Sequence, residues 1–345
     1  MPESIHKIMN DISYEEARSL PDPLFIDVRA PIEFEEDHIP GAVNMPLFDN
    51  YEREEIGKIY KLLGKEDAIV RGSEMAGLKI GDIVANIRKI QGRDIVIYCF
   101  RGGMRSTSLV SLLESLDFHV YRLKEGYKGY RRQLLKKIEN LDIKPKLFVI
   151  HGLTGTGKTE IIRMIKNSVD LEDFAGHRSS VFGAIGLKKK TQKMFESLMI
   201  DRLEKYDDAS YIVAEGESRK IGDLHIPEKF LQMMYKAPGI LIEASIDRRV
   251  DVILKEYSPE INSDEVIKIV NSISGRLGKK NTDLLLDMFG KGDLRGFTRL
   301  LLMKYYDPLY QHTLDKMNFT AKIDNEDSAK AADEVIRVID DYLKR

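Results

Sequence analysis

The chain is nearly devoid of cysteine: Cys99 is the one thiol in 345 residues. A lone thiol excludes an intrachain disulfide and any zinc site built from several cysteines. It also leaves an oxidised or persulfurated Cys99 without a resolving thiol in its own chain. Long apolar runs are absent too. No stretch approaches the roughly 18 residues needed to cross a bilayer, so no membrane partner is expected. The opening "MPESIHKIMNDISYEEARSL" is too acidic and polar for a secretory signal, and a cytoplasmic location is expected. Charge of one sign is missing as well, with 54 Lys and Arg against 56 Asp and Glu. A nucleic-acid partner would therefore have to use local basic patches. There is no internal repeat and no low-complexity tract. What remains is a folding composition, with 43% hydrophobic and 32% charged residues, in a length that suits two domains.

Two blocks each open on a strand, a loop and a helix. In the first, "LFIDV" (24–28) and "DIVIYC" (94–99) read as short buried strands followed by helical patterns. The second opens on "KLFVIHG" (146–152) and continues with "SYIVAE" (210–215) and "GILIEAS" (239–245). Such alternation predicts an α/β fold with mainly parallel sheets. The charged segment 131–146 ends in a proline near a new strand. It places the boundary so that the domains are 1–140 and 141–345. The region 258–340 reads as mainly helical. The run "IGLKKKTQK" (185–193) is the clearest basic stretch, and its plainest reading is a solvated helix face.

Two loops carry the chemistry. "GLTGTGKT" (152–159) fits G-x-x-x-x-G-K-[ST] between an apolar strand and a helix. Gly152, Gly155 and Gly157 let backbone N–H groups converge on phosphate oxygens, with Thr154 and Thr156 between them. The helix start adds its positive end. Lys158 supplies a mobile charge, and the Thr159 hydroxyl is a candidate Mg²⁺ ligand. A second acidic ligand is expected at a strand end, where "YIVAEGES" offers Glu215 and Glu217. The pattern indicates a phosphate chain without saying whose.

The other loop is "YCFRGGMRS" (98–106). A thiol between a strand end and a helix start is biased toward thiolate. Arg101 and Arg105 add positive charge, while Gly102 and Gly103 let the loop curl with its N–H groups inward. Such a cradle suits a tetrahedral anion, or sulfur or selenium carried on Cys99. The offset of six between Cys99 and Arg105 is also that of cysteine phosphatases. A phosphatase fused to an NTP-dependent kinase is therefore the alternative reading.

This loop and the upstream elements "DVR" (27–29), "EF" (33–34), "HIPGA" (38–42) and "N-x-P" (44–46) resemble the rhodanese family. With the downstream segments "DLEDFAGHRSSVFG" (170–183), "EGESRKIG" (215–222) and "YYDPLY" (305–310), the chain from about 24 to 315 resembles the tRNA 2-selenouridine synthase family. The resemblance implies a rhodanese-like domain followed by a P-loop domain with a helical C-terminal part. It also implies a transferase that replaces the sulfur of 2-thiouridine at the tRNA wobble position with selenium from selenophosphate. An S-geranylated intermediate made from geranyl diphosphate would lie between. A selenophosphate-producing enzyme is a possible partner, and no tightly bound organic cofactor is expected. His177, Arg178, Ser180 and Arg219 become candidates for the second site. Two departures stand out: Ser179 replaces a glycine of the family pattern and Gly216 an aspartate. Asp27 and Arg29 are expected to brace the cysteine loop. Arg131, Arg132, Lys136, Lys137 and Lys188–Lys190 are candidate tRNA phosphate contacts.

Overall fold

Short β-branched runs form the strands, as the alternation predicts. The structure, a computed structural model, describes residues 10–257 and 263–345. Part of the opening segment (1–9) and the start of the region read as helical (258–262) lie outside the described residues. The chain divides into two units, Met1–Glu139 and Asn140–Arg345.

In the first unit the strands are β1 (Asp11–Ile12), β2 (Pro23–Asp27), β3 (Val43–Asn44), β4 (Asp94–Tyr98) and β5 (Val120–Leu123). They form one parallel sheet in the order β1-β5-β4-β2-β3. Ile95, Val96 and Ile97 of β4 are all buried. That unbroken apolar run is the mark of a parallel strand covered on both faces. Ile95 and Ile97 join Ile26, Val28, Leu109, Val110 and Leu113 in the core. The helix Asn50–Leu62 starts on a capping box between Asp49 and Glu52.

The second unit contains β6 (Lys146–His151), β7 (Ser168–Val169), β8 (Tyr211–Glu215), β9 (Lys220–Ile221), β10 (Leu224–His225), β11 (Gly239–Glu243) and β12 (Phe319–Asp324). A parallel sheet runs β12-β11-β6-β8-β7, and β9 and β10 form a small antiparallel pair. The chain moves from β6 to one side, through β7 and β8, and then to the other. The carboxyl end of β6 therefore opens at a switch in strand order, where α/β sheets take their ligands. Ile150 is in register with Glu215, so the loops after β6 and β8 emerge together.

The region 258–340 is mainly helical, as expected, and β12 adds an edge strand beside β11. Its sequence "FTAKID" buries only Ile323 fully, so the apolar signal of a strand is weak. One expectation needs correction: Lys188, Lys189 and Lys190 of the basic run lie on no helix face, while Lys193 falls in the helix that follows. Turns and extended chain run through 191, and the helix Gln192–Lys205 begins where the Thr191 side chain caps the Met194 N–H.

Candidate active sites

Cys99 follows the last residue of β4 and is buried, with 3% of its surface exposed. Main-chain bonds hold its loop against the helix Gly126–Glu139: Tyr127 N–H donates to the Cys99 carbonyl and Lys128 N–H to that of Phe100, both at 2.9 Å. The approach is so close that a Cβ on Gly126 would lie 2.1 Å from the Cys99 oxygen. Gly102 adopts φ +64°, and a Cβ there would meet the Leu123 oxygen at 2.9 Å. Only glycine fits either place.

The sulfur lies 3.2 Å from the hydroxyl of Ser106, a fully buried residue. Burial opposes ionisation of the thiol. The Ser106 hydroxyl and N–H, the Arg105 charge and the Arg101 N–H together outweigh it, and the Cys99 pKa falls below the ordinary thiol value. The two arginines flagged by sequence behave differently. Arg105 donates to Glu33 at 3.0 Å, so its charge is shared. Arg101 is exposed, with its guanidinium 5.8 Å from the Phe100 ring centroid. Gly103 precedes the helix Met104–Ser115, and its carbonyl accepts from Ser106 at 3.2 Å.

Sequence reasoning missed Ser106 and Arg122. Arg122 comes from β5, donates to the Gly102 carbonyl at 2.9 Å and pairs with Asp11 at 2.6 Å. Ser106 had a signal, its place in the first turn of the helix after the loop. Arg122 had none, because it is 23 residues away from the thiol in sequence and reaches it only through strand pairing.

Beneath the loop is a buried polar group. Arg29 chelates Asp27, with its Nη2 2.6 Å from Asp27 Oδ2, and donates to the Asp37 carbonyl. Its guanidinium stacks 4.0 Å from the Tyr127 ring centroid. The Tyr127 hydroxyl in turn donates to Asp37 at 2.7 Å. Asp27 and Arg29 are thus closed within the fold, away from solvent. Of the candidate tRNA contacts, Arg131 is mostly buried, 3.8 Å from Asp37, and Arg132 pairs with Glu125.

In the second unit, Gly155 and Gly157 take φ +79° and +80°, as the phosphate loop requires. Lys158 donates back to the carbonyls of Gly152 and Leu153 at 3.0 and 3.3 Å. The Thr156 hydroxyl bonds the Leu153 carbonyl. Asn325, at the end of β12, donates to the Thr156 carbonyl at 2.7 Å. Arg249 donates to the Thr154 carbonyl at 2.9 Å while Asp307 grips its guanidinium at 2.6 and 3.1 Å. The "YYDPLY" segment therefore sits on a helix junction, a π-helical turn at Leu302–Tyr306, whose Asp307 braces the phosphate loop.

Beside the loop lies a crowd of carboxylates. Thr159 donates to Glu172 at 3.3 Å. Glu215 is fully buried, and neither of its oxygens meets a hydrogen-bond partner among the described residues. Burial, then repulsion from Glu172, pushes Glu215 far above the carboxylate range and Glu217 to about 7. Burial also raises Glu172. Among the described residues no three acidic, histidine or cysteine side chains form a metal cage. Mg²⁺ keeps several waters and takes one or two protein ligands beside substrate phosphates. An orphaned buried carboxylate next to a phosphate-loop threonine fits such an ion.

The segment after Glu172 folds back over this crowd. The Ser179 N–H donates to Glu172. Ser179 is not among the residues with positive φ, so replacement of glycine there strains nothing. Arg178 donates to the Ile185 and Glu256 carbonyls and stacks 4.7 Å from the Tyr257 ring centroid. Ser180 shares a hydrogen bond with the Tyr257 hydroxyl. The His177 ring is wedged against Gly222 and Gly183, either of which would clash with it through a Cβ. Arg219 is exposed and 3.7 Å from Glu228.

The other departure has a local cause. A Cβ at Gly216 would lie 2.4 Å from Nδ1 of His151, the last residue of β6. Here an imidazole occupies the space that a side chain at 216 needs. Burial and the nearby Lys158 hold His151 near pKa 4, hence neutral at physiological pH.

Comparison with known proteins matches both units. The family described as the tRNA 2-selenouridine synthase AAA domain matches residues 145–340, and the rhodanese-like domain matches 11–133. A tRNA 2-selenouridine synthase from Shewanella pealeana is 33% identical over 84% of this chain and 88% of its own. One from Pseudomonas syringae pv. syringae is 33% identical over 85% and 89%. The crystal structure of an N-terminal domain from Clostridium difficile 630 is 48% identical, covering 36% of this chain and 98% of that one, with a TM-score of 0.35.

Proposed function

Because the chain belongs to the tRNA 2-selenouridine synthase family, we propose that it is a cytoplasmic transferase that replaces the sulfur of wobble 2-thiouridine in tRNA with selenium. The observation that carries this reading is the pair of anion cradles at strand ends, one holding an activated thiol and one a phosphate-loop lysine.

The sulfur of 2-thiouridine attacks C1 of geranyl diphosphate. A C–S bond forms, the C–O bond breaks, diphosphate departs, and the base loses its N3 proton to solvent. The N–H groups of 154–159 and the Lys158 ammonium take up the charge that collects on the leaving group. To reach it, Lys158 must leave the Gly152 and Leu153 carbonyls it now holds. Thr159, Glu215 and Glu217 would hold a Mg²⁺ ion, which would supply further charge neutralisation. Alkylation makes the sulfur a leaving group. Selenium of selenophosphate then attacks C2 of the base, the C2–S bond breaks, and geranylthiolate leaves. Water cleaves the remaining P–Se bond. Cys99 guides the selenium donor, and the loop N–H groups with Arg101 hold its anionic oxygens. Arg105 assists only to the extent that Glu33 releases it.

Mass spectrometry of nucleosides tests the scheme, after incubating 2-thiouridine tRNA with geranyl diphosphate, with selenophosphate, and with both. The S-geranyl nucleoside should form with the first alone. Selenouridine should need both, and selenouridine from selenophosphate alone would refute the alkylated intermediate.

A further inference from the structure

Glu172 stands in the first turn of the helix Leu171–Ala175, and neither strand ends nor motif spacing mark it. One of its oxygens accepts from the Thr159 hydroxyl at 3.3 Å, and the other accepts from the Ser179 N–H. A hydroxyl that turns a lone pair toward a cation must send its hydrogen elsewhere. The hydrogen-bond geometry sends the Thr159 hydrogen to Glu172, with Glu215 also close enough to feel the hydroxyl. We propose that Glu172 is a positioning residue for a divalent cation at Thr159: it fixes the hydroxyl so that its oxygen faces the ion, and through Ser179 it ties that geometry to the turn carrying His177, Arg178 and Ser180.

A second observation points to the ion independently. Glu215 is fully buried and both its oxygens lack a hydrogen-bond partner among the described residues. A buried carboxylate without partners is costly. Its electrostatic neighbours are Glu172, Asp170 and Glu217, so it is directed into the same space as the other acids. Lys158 also lies near Glu172, but its ammonium is spent on two main-chain carbonyls. A cation beside Thr159 would relieve this crowding, with Glu215 as an oxygen donor. Glu172 would then act through the threonine. Glutamine at 172 has one acceptor oxygen for two donors, so it cannot serve Thr159 and Ser179 as the carboxylate does. The inference rests on the phosphate-loop reading above.

The test uses the full chain, with Mn²⁺ as probe and inorganic diphosphate as the anion, read by electron paramagnetic resonance. Glu172→Gln should weaken Mn²⁺ binding about 10- to 100-fold, with metal-free diphosphate binding and the thermal melt unchanged. Combining it with Thr159→Val should weaken binding no further than Thr159→Val alone, because one residue acts through the other. Should Glu172→Gln fail to fold, Glu172→Asp, which draws the acceptor back by one methylene, should weaken binding in the same direction. Wild-type Mn²⁺ affinity in a folded Glu172 variant, or losses that simply add, would overturn the proposal and leave the phosphate-loop reading standing. If the unaltered chain binds no Mn²⁺ beyond what diphosphate holds in solution, the metal reading itself falls.

Discussion

The thiol loop and the phosphate loop are built alike and finished differently. Each follows a buried parallel strand, turns on glycines and feeds a helix. Around Cys99 most charges are already paired, Arg105 with Glu33, Arg122 with Asp11 and Arg29 with Asp27, while Arg101 is exposed. Around Lys158 they are open. The lysine turns back on its own loop, and Glu215 lies buried with no hydrogen-bond partner for either oxygen among the described residues. The first site is set to polarise one sulfur atom. On the proposed reading, the second would be completed electrostatically by an anion and a cation. A cradle made of partnered groups holds its shape unaided, whereas one made of unpartnered groups gains its stability from the ligand.

The sharpest way to break this contrast is to remove each reactive group in turn. Cys99→Ala should abolish selenouridine formation and leave geranylation within about twofold. Lys158→Ala should slow geranylation by roughly 10²- to 10³-fold. Nucleoside mass spectrometry reads both, and equal loss of both activities in either variant would erase the division of labour.

Stability offers the next comparison. Arg29→Ala leaves the buried Asp27 carboxylate without its cation and the Asp37 carbonyl without its donor, and should lower unfolding stability by about 3–5 kcal/mol in urea titration. A loss near zero would show that the buried network does not hold the thiol unit together.

A smaller effect is expected where His151 meets Gly216. Gly216→Ala should cost about 1–3 kcal/mol through overpacking. His151→Gly in the same chain should recover most of that loss in thermal melts, since the clash is with the ring.

The gentlest change sharpens the electrostatics of the thiol. Ser106→Ala should raise the Cys99 pKa, because a hydroxyl that favours the thiolate is gone. The wild-type thiol, with its pKa lowered, stays ionised to lower pH than an ordinary cysteine. The pH midpoint of iodoacetamide alkylation should therefore move upward in the variant. At neutral pH its rate should fall about tenfold, on the scale of one hydrogen bond to a charged group. An unchanged midpoint would assign the shift to Arg105 and the backbone instead.

How far each site could be read depends on how local its parts are. Gly102, Gly155 and Lys158 lie within one turn of the atoms they serve, and their spacing carried the argument. The supports could not be seen that way. Asp307 steadies Thr154 through Arg249, from 153 positions away. Asn325 reaches Thr156 only because β12 joins the sheet. That strand was hidden in a region read as helical, since its outer positions are polar and edge strands need bury little. Glu172 was inside a quoted motif and still passed unnoticed. A carboxylate in a helix's first turn is the commonest of surface features, and nothing in the spacing showed it turned inward.

The sequence by itself determined the two parallel α/β units, the thiol loop and the phosphate loop, because backbone turns and apolar periodicity are local demands met by neighbouring residues. Tertiary structure alone decided which carboxylates gather at Thr159, why Gly216 must yield to His151, and which arginines are already paired. Those outcomes follow from distances between segments far apart in the chain, and Coulomb interaction and packing depend on such distances rather than on sequence separation.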